Sequence, residues 1–138
     1  ASVFTIGDHV TINTDTDNFI AYCFHSVEGY SKIGSYEGSG DADGAFVYTG
    51  FQVAYLLVKS IDGTYDWYQT DNKVTPINVR DNVLYPDLTA ASGSSWPWVD
   101  FLSNGFKIRT DPTSGAVNSN SLMYYAIAST PFKTSNAV

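Results

Sequence analysis

The chain has 138 residues, a length typical of one domain with its own hydrophobic core. Its formal net charge of -7 argues against nucleic acid and anionic membranes as partners, because phosphate binding requires a basic face. Charged residues make up only 15% of the chain and aromatic residues also reach 15%, a mixture that favours strands over helices.

Nine short apolar or alternating runs, separated by Gly, Asn, Asp or Ser, are predicted to form strands. In chain order they are VFTIG (3–7), HVTIN (9–13), FIAYCF (19–24), AFVYTGF (45–51), VAYLLVK (53–59), TYDWYQ (64–69), WVDFL (98–102), GFKIRT (105–110) and LMYYAIA (122–128). Residues 53–59 and 122–128 are apolar on both faces, which predicts central strands of a two-layer sandwich. Only residues 85–91 are predicted to form a short helical turn.

The single cysteine, Cys23, excludes an intrachain disulfide and lies in an apolar run, where we expect it to be buried. The spacing of Cys23, His9 and His25 does not match that of a zinc site. No apolar run reaches the roughly 18 residues of a membrane helix, and no signal peptide is visible. Because the chain starts at Ala1 rather than Met, we expect a processed product or a fragment of a longer protein.

Residues 4–24 resemble residues 106–128, since each has Phe-x-Ile, a polar loop and then a dense apolar run. One interpretation is that the two segments form similar hairpins that pair as neighbours. The other is that residues 1–28 form the end of a preceding, related unit.

Two acidic stretches are candidate calcium loops. The first is NTDTDN (13–18), and the second is Asp41-Ala42-Asp43-Gly44. Calcium takes six to eight oxygen ligands. No bidentate Glu follows the first stretch at a loop-like distance, and the AFVYTGF that follows the second holds no acid. We therefore favour turns at both places, with Asp41 and Asp43 bonding backbone amides and Gly44 at positive φ.

The turn at Gly44 is followed by a predicted strand in which Phe46 and Tyr48 fill one face of the core. A second turn at Thr49-Gly50-Phe51 then redirects the chain into the run at 53–59. Gly44 and Gly50 are accordingly the predicted structural turn residues.

Aromatic side chains suggest a ligand site, because exposed Trp and Tyr rings can stack on sugar rings. The candidate ligand-binding residues are Trp96, Trp98, Tyr65 and Tyr68. The alternative is core packing, which we favour for Trp98 and for Tyr65 with Trp67, whereas Trp96 is left between surface and core.

No catalytic motif is present. The only glutamates, Glu28 and Glu37, do not form the Glu-x-Asp-x-x-Glu pattern of sandwich-fold glucanases, and neither Gly-x-Ser-x-Gly nor a phosphate loop occurs. We therefore expect a protein that is not an enzyme.

Motifs across residues 29–134 resemble, in order and spacing, a domain of tailed-bacteriophage virion and tail-fibre proteins. They read GYSKIGSYEGSGDADGAFVYTGFQVAYLLVKSIDGTYDWYQTD, NVLYPDL, VDFLSNGFKIRT and YYAIASTPFKTSNA. The pattern departs from that domain at Ala45 and Gln52, where proline is usual. The resemblance implies an all-β, antiparallel jelly-roll β-sandwich of the concanavalin A-like type, near SPRY-type modules.

The resemblance also implies a virion-associated structural or adhesion domain, in a tail fibre or spike, that attaches to host-surface glycan or protein. The alternatives are a capsid decoration or assembly module that contacts other virion chains and, ranked last, a glycan-active hydrolase. Expected partners are other virion proteins, host glycan and a homo-oligomer. No cofactor is expected, with calcium at Asp41 and Asp43 as the alternative. Residues 1–138 are interpreted as one domain, with 29–138 as the main match and 1–28 as the candidate end of a preceding unit.

Overall fold

The fold is all-β and consists of two antiparallel sheets with almost no helix. The computed structural model describes residues 3–110 and 117–132, so residues 1–2, 111–116 and 133–138 of the predicted domain lie outside the described residues. The elements are α1 (Val10–Asn13), β1 (Ser31–Glu37), β2 (Phe46–Tyr48), β3 (Val53–Ser60), β4 (Trp67–Asp71), β5 (Val99–Leu102), β6 (Gly105–Ile108) and β7 (Ser121–Ala128).

The first sheet has four strands in the order β1-β7-β3-β4, and the second has three strands in the order β2-β6-β5. The two runs that are apolar on both faces form β3 and β7, which lie side by side in the interior of the first sheet, as predicted. Leu56 lies opposite Ala126 and Val58 opposite Tyr124, and all four side chains are buried.

One hydrophobic core joins the two sheets. Phe106 of β6 contacts Tyr36 of β1 and Tyr124 of β7 edge to face, at centroid distances of 5.9 and 5.3 Å. Alternation along each strand directs one set of side chains to this core, because successive residues point to opposite faces. The cluster comprises Tyr36, Val47, Phe51, Val53, Leu56, Val58, Tyr68, Val83, Trp98, Val99, Phe101, Phe106, Ile108, Val117, Leu122, Tyr124, Ala126 and Ala128.

Residues 3–24 do not form the three strands predicted at 3–7, 9–13 and 19–24. Their regular structure consists of the four-residue helix α1, and their apolar side chains are exposed. A strand requires a neighbour for its backbone groups, and none of the strand pairs found in the described residues includes this segment. Cys23 is exposed as well, so the prediction of a buried cysteine is wrong.

Two smaller predictions also differ from the structure. β1 was not predicted, because Ser, Lys, Gly and Glu dilute the apolar alternation of Ser31–Glu37. It forms because β7 supplies a complete antiparallel partner for it. Residues 85–91 contain no helix, only a turn in which the Leu88 amide donates to the Tyr85 carbonyl.

Within the described residues, no helix is long and apolar enough to cross a membrane.

Candidate functional site

A cleft of about 550 Å³ lies where the loop before β1, the β2–β3 turn and the segment after β7 meet. Its lining residues are Ser26, Val27, Glu28, Gly29, Ser31, Lys32, Tyr48, Thr49, Gly50, Phe51 and Phe132. A depression of about 290 Å³ shares Gly29, Gly50 and Phe51 with it and adds Gln52, Ser103, Ser129 and Thr130. We call the combined surface the loop cleft.

The β2–β3 turn shapes one wall of the loop cleft. Gly50, one of the predicted turn residues, has φ of 88°, a left-handed conformation that favours glycine. The amides of Thr49 and Gly50 both donate to the Asn104 carbonyl, at 3.0 and 3.1 Å. The turn is therefore held by the β5–β6 connection, which fixes the position of Tyr48 just before it.

Tyr48 provides an exposed aromatic face at the cleft, with 59% of its surface accessible. Lys32 donates from Nζ to the Tyr48 carbonyl at 2.8 Å, and its Nζ also lies 5.2 Å from the centroid of the Tyr48 ring. The cation–π contact places Lys32 over one face of the ring, and most of the side chain stays accessible. The result is a positioned aromatic surface beside a charged group.

A second aromatic pair borders the same cleft. Phe132 stacks on Tyr30 with ring centroids 5.6 Å apart, and both side chains are exposed. The Phe132 amide donates to the Gly29 carbonyl at 3.0 Å, which ties the segment after β7 to the loop before β1. The cleft thus combines two separate exposed aromatic surfaces.

The loop cleft also contains charged and polar side chains. Glu28 supplies acceptors and Lys32 supplies donors, while the Gln52 side chain bonds the Ser129 hydroxyl at 3.1 Å. Among the described residues that line the cleft, Glu28 is the only carboxylate. A glycosidase requires two carboxyl groups flanking the bond it cleaves, so these residues do not supply that pair.

The predicted aromatic candidates lie elsewhere, around β4 and the loop before β5. Trp98 is fully buried and donates from Nε1 to the Asn82 carbonyl at 3.3 Å, so its ring has no face open to a ligand. Trp96 is half-buried, stacks on Trp98 at 5.9 Å and contacts Tyr68 at 5.6 Å. Tyr68 is buried, and its burial, with Asp66 nearby, raises the pKa of the Tyr68 hydroxyl to about 12.

Tyr65 is separate from this packed cluster, with 42% of its surface exposed, and Trp67 is half-buried. The interpretation that Tyr65 and Trp67 share a core face is therefore wrong. The buried face of β4 consists of Tyr68 and Thr70, and Trp67 lies on the opposite face because side chains alternate along a strand. The structure thus brings Tyr68, Trp96 and Trp98 together as packing and leaves Tyr65 on the surface.

The acidic turn at 41–44 is built from internal contacts. Asp41 Oδ1 accepts a hydrogen bond from the Asp43 amide at 2.8 Å, an Asx turn. The Asp43 carboxylate lies 2.6 Å from Lys107 Nζ and 3.3 Å from Arg109 Nη1. The hydrogen bond and charge of Lys107 lower the pKa of Asp43. Two cations already neutralise the carboxylate that calcium would need.

The metal candidates gain no further ligands in the part of the chain that the structure describes. No group of three or more His, Cys, Asp or Glu side chains there could hold a metal ion. This holds for Asp15 and Asp17 in the first acidic stretch as well as for Asp41 and Asp43.

The prediction that Gly44 adopts positive φ is wrong, because its φ is outside the left-handed region. Glycine is required at position 44 because the Ile108 backbone lies close to it. A Cβ there would lie 2.8 Å from the Ile108 carbonyl oxygen. The predicted core face of the next strand is also wrong. Phe46 and Tyr48 are exposed, whereas Val47 between them is buried.

A family model described as a domain of unknown function, DUF7483, matches residues 1–131. The chain belongs to this family. The match includes residues 3–26 as well as all seven strands. Comparisons with curated proteins and with solved structures find no match.

Sequence reasoning missed the cleft of this DUF7483 domain because Tyr48 was assigned to the wrong face of its strand. One signal was available: Tyr48 directly precedes the Thr49-Gly50 turn, a place where side chains of a short edge strand often stay exposed. Sequence reasoning also missed Asn118, whose buried side chain holds the 39–41 loop. Its Nδ2 donates to the Asp41 carbonyl at 2.6 Å and its Oδ1 accepts from the Ser39 amide at 3.2 Å.

Proposed function

We propose that this DUF7483 domain is a virion-associated adhesion domain of a tailed bacteriophage, in a tail fibre or spike, and that its loop cleft binds host-surface glycan. The observation that carries the proposal is the exposed Tyr48 ring beside Lys32, in a cleft that also contains Glu28 and Gln52. The phage origin rests on the resemblance of motifs across residues 29–134.

The fold part of the proposal is a concanavalin A-like jelly-roll sandwich. Two antiparallel sheets with a shared core, and central strands β3 and β7, support this assignment. Folds of this kind host many functions, so the proposed activity rests on the cleft and not on the architecture.

Binding would combine stacking with hydrogen bonding. The face of Tyr48 can pack against the apolar face of a sugar ring, and Phe132 offers a second such surface on the same cleft. Glu28, Lys32 and Gln52 can then bond sugar hydroxyls from the surrounding walls. The proposal includes no cofactor and places the domain on the virion.

A glycan array of host polysaccharides, probed with the intact chain, tests this function. We expect binding that Tyr48→Ala abolishes and that Tyr65→Ala leaves unchanged, because Tyr65 is an exposed tyrosine outside the cleft. Thermal unfolding of both variants serves as the folding control. Absence of binding across the array, or equal loss in both variants, would sink the proposal.

The runner-up function is an assembly module that contacts other virion chains. The observation that favours it is the run of exposed apolar side chains in residues 3–24, which includes Val3, Phe4, Ile6, Val10, Ile12, Phe19, Ile20, Tyr22 and Phe24. Exposed apolar surface on this scale commonly marks a protein interface. A glycan-active hydrolase ranks below both, since the residues lining the cleft include one carboxylate.

A further inference from the structure

Residues 3–26 form an N-terminal arm whose sequence repeats the pattern of β6 and β7. Residues 4–24 align with residues 106–126 without an insertion or deletion. The identical pairs are Phe4 with Phe106, Ile6 with Ile108, Thr11 with Thr113, Asn18 with Asn120, and Tyr22 with Tyr124. Ile20 aligns in addition with Leu122, so the apolar spacing is the same in both segments.

The aligned apolar positions have opposite environments. In β6 and β7 these positions are at most 3% exposed and form the core between the sheets: Phe106, Ile108, Leu122, Tyr124 and Ala126. In the arm their counterparts are 46–80% exposed: Phe4, Ile6, Ile20, Tyr22 and Phe24. Phe24 contacts the Tyr125 ring on the outer face of β7, with centroids 5.1 Å apart, but none of the five arm side chains enters the buried core. The arm therefore carries the apolar positions of two core strands outside the core.

The intervening positions of the arm align with residues of β7 that lie outside the core. Met123 and Tyr125 of β7 point away from the core, and Ala21 and Cys23 occupy the matching positions in the arm. Because side chains alternate along a strand, the alignment predicts that Ile20, Tyr22 and Phe24 would share the buried face of an arm strand. An isolated segment cannot use such a set of side chains, since a strand needs at least one neighbouring strand for its backbone hydrogen bonds.

β6 and β7 are both interior strands, β6 in the three-stranded sheet and β7 in the four-stranded sheet. A unit of this architecture without them would have a gap in each sheet and an unfilled core. We infer that the arm supplies the β6- and β7-equivalent strands of a second unit with this same two-sheet architecture. This inference deepens the assembly function and is independent of glycan binding at the loop cleft.

A tight turn joins the arm directly to the first strand of this unit. Val27 and Ser31 exchange backbone hydrogen bonds at 2.9 Å, so the arm turns directly into β1. The family match also spans the arm together with the seven strands, which makes the arm part of the family's unit. Strand donation of this kind provides affinity through main-chain hydrogen bonds and specificity through alternate side chains.

A chimaera tests the inference. In the intact chain, residues 106–126 are replaced by a second copy of residues 4–24, which has the same length. We expect the chimaera to keep a β-type circular dichroism spectrum and a cooperative thermal transition, because the arm residues enter the core in the correct register. The control chimaera carries residues 5–25, a shift by one residue that turns the apolar set outward, and we expect no cooperative transition.

One position requires a second version of the in-register chimaera. Phe24 would occupy the place of Ala126, which is fully buried, and overpacking alone could prevent folding. The second version therefore carries Phe24→Ala within the inserted copy. Folding of either in-register version, with failure of the shifted control, supports the inference. Failure of both in-register versions, or equal folding of the shifted control, would overturn it, and glycan binding by the intact chain would be unaffected in each case.

Discussion

The arm and the β6–β7 segment carry the same apolar spacing, yet only the second has neighbours that turn this spacing into strands. Phe106 and Tyr124 contact each other across the two sheets, whereas Phe4 and Tyr22 are exposed. The difference shows that alternation specifies which face a strand would bury and does not by itself produce the strand. Partner strands supply the hydrogen bonds and the rest of the core.

The largest expected difference between the two segments lies in their apolar side chains. Leu122→Ala should lower the free energy of unfolding by about 2–5 kcal/mol, because it leaves a cavity at a fully buried site. Ile20→Ala at the matching position should change it by less than about 0.5 kcal/mol, because Ile20 is exposed. Urea denaturation measures both. Similar losses would mean that the arm belongs to the core of this fold, which would break the comparison.

A smaller difference is expected in the polar loops. Asn118→Ala should cost about 1–3 kcal/mol, because it leaves the buried Thr110 carbonyl without this donor and removes the hydrogen bond to the Asp41 carbonyl. Thr16, at the matching position of the arm, is exposed, and Thr16→Ala should leave the unfolding transition in place. The melting temperatures of the two variants test this difference. An Asn118→Ala melting temperature equal to that of the unmodified chain would contradict the prediction.

The smallest expected difference is electrostatic and depends on pH. Lys107 lowers the pKa of Asp43, whereas the matching arm residue is Thr5, which cannot form this ion pair. Because the folded-state pKa is depressed, the pair stabilises the fold above the ordinary aspartate pKa of 3.8 and is lost as pH falls through the lower folded-state value. The melting temperature of the unmodified chain should therefore fall more between about pH 6 and pH 3 than that of Asp43→Asn.

Lys107→Thr removes the other partner of the ion pair and places in β6 the residue type that Thr5 has in the arm. It should show the same reduced pH dependence as Asp43→Asn, and salt should diminish the difference because Asp43 is exposed. A pH dependence unchanged in both variants would show that the ion pair does not contribute to stability.

Sequence reasoning predicted the interior of the fold better than its edges. β3 and β7 were recognisable because both faces of each run are apolar, which indicates cover on both sides. β1 was missed since its polar edge-strand composition resembles a loop, and it depends on β7 for its backbone hydrogen bonds. The arm is predicted to form strands because its apolar runs are short and bounded by polar residues, although the described residues provide no partner strand for it.

The candidate site was harder to predict than the fold. Trp98 is an obvious aromatic candidate in the sequence, but its place in the core follows from the packing of the loop at 81–98 against β4 and β6. Tyr48 became a candidate only when the structure showed that Val47, and not its two aromatic neighbours, is the buried residue of β2. A three-residue strand offers too short a pattern to decide which face is buried.

The pairing of β1 with β7 has a mechanical consequence. These strands are antiparallel neighbours, with Ser31 opposite Ile127 and Glu37 opposite Ser121. Tension applied between the start of β1 and the end of β7 would load their hydrogen bonds one after another, from the Ser31 end inward, rather than all together. Under a pulling force the unit should therefore open like a zipper and extend at low load, with the edge strand β1 peeling away first.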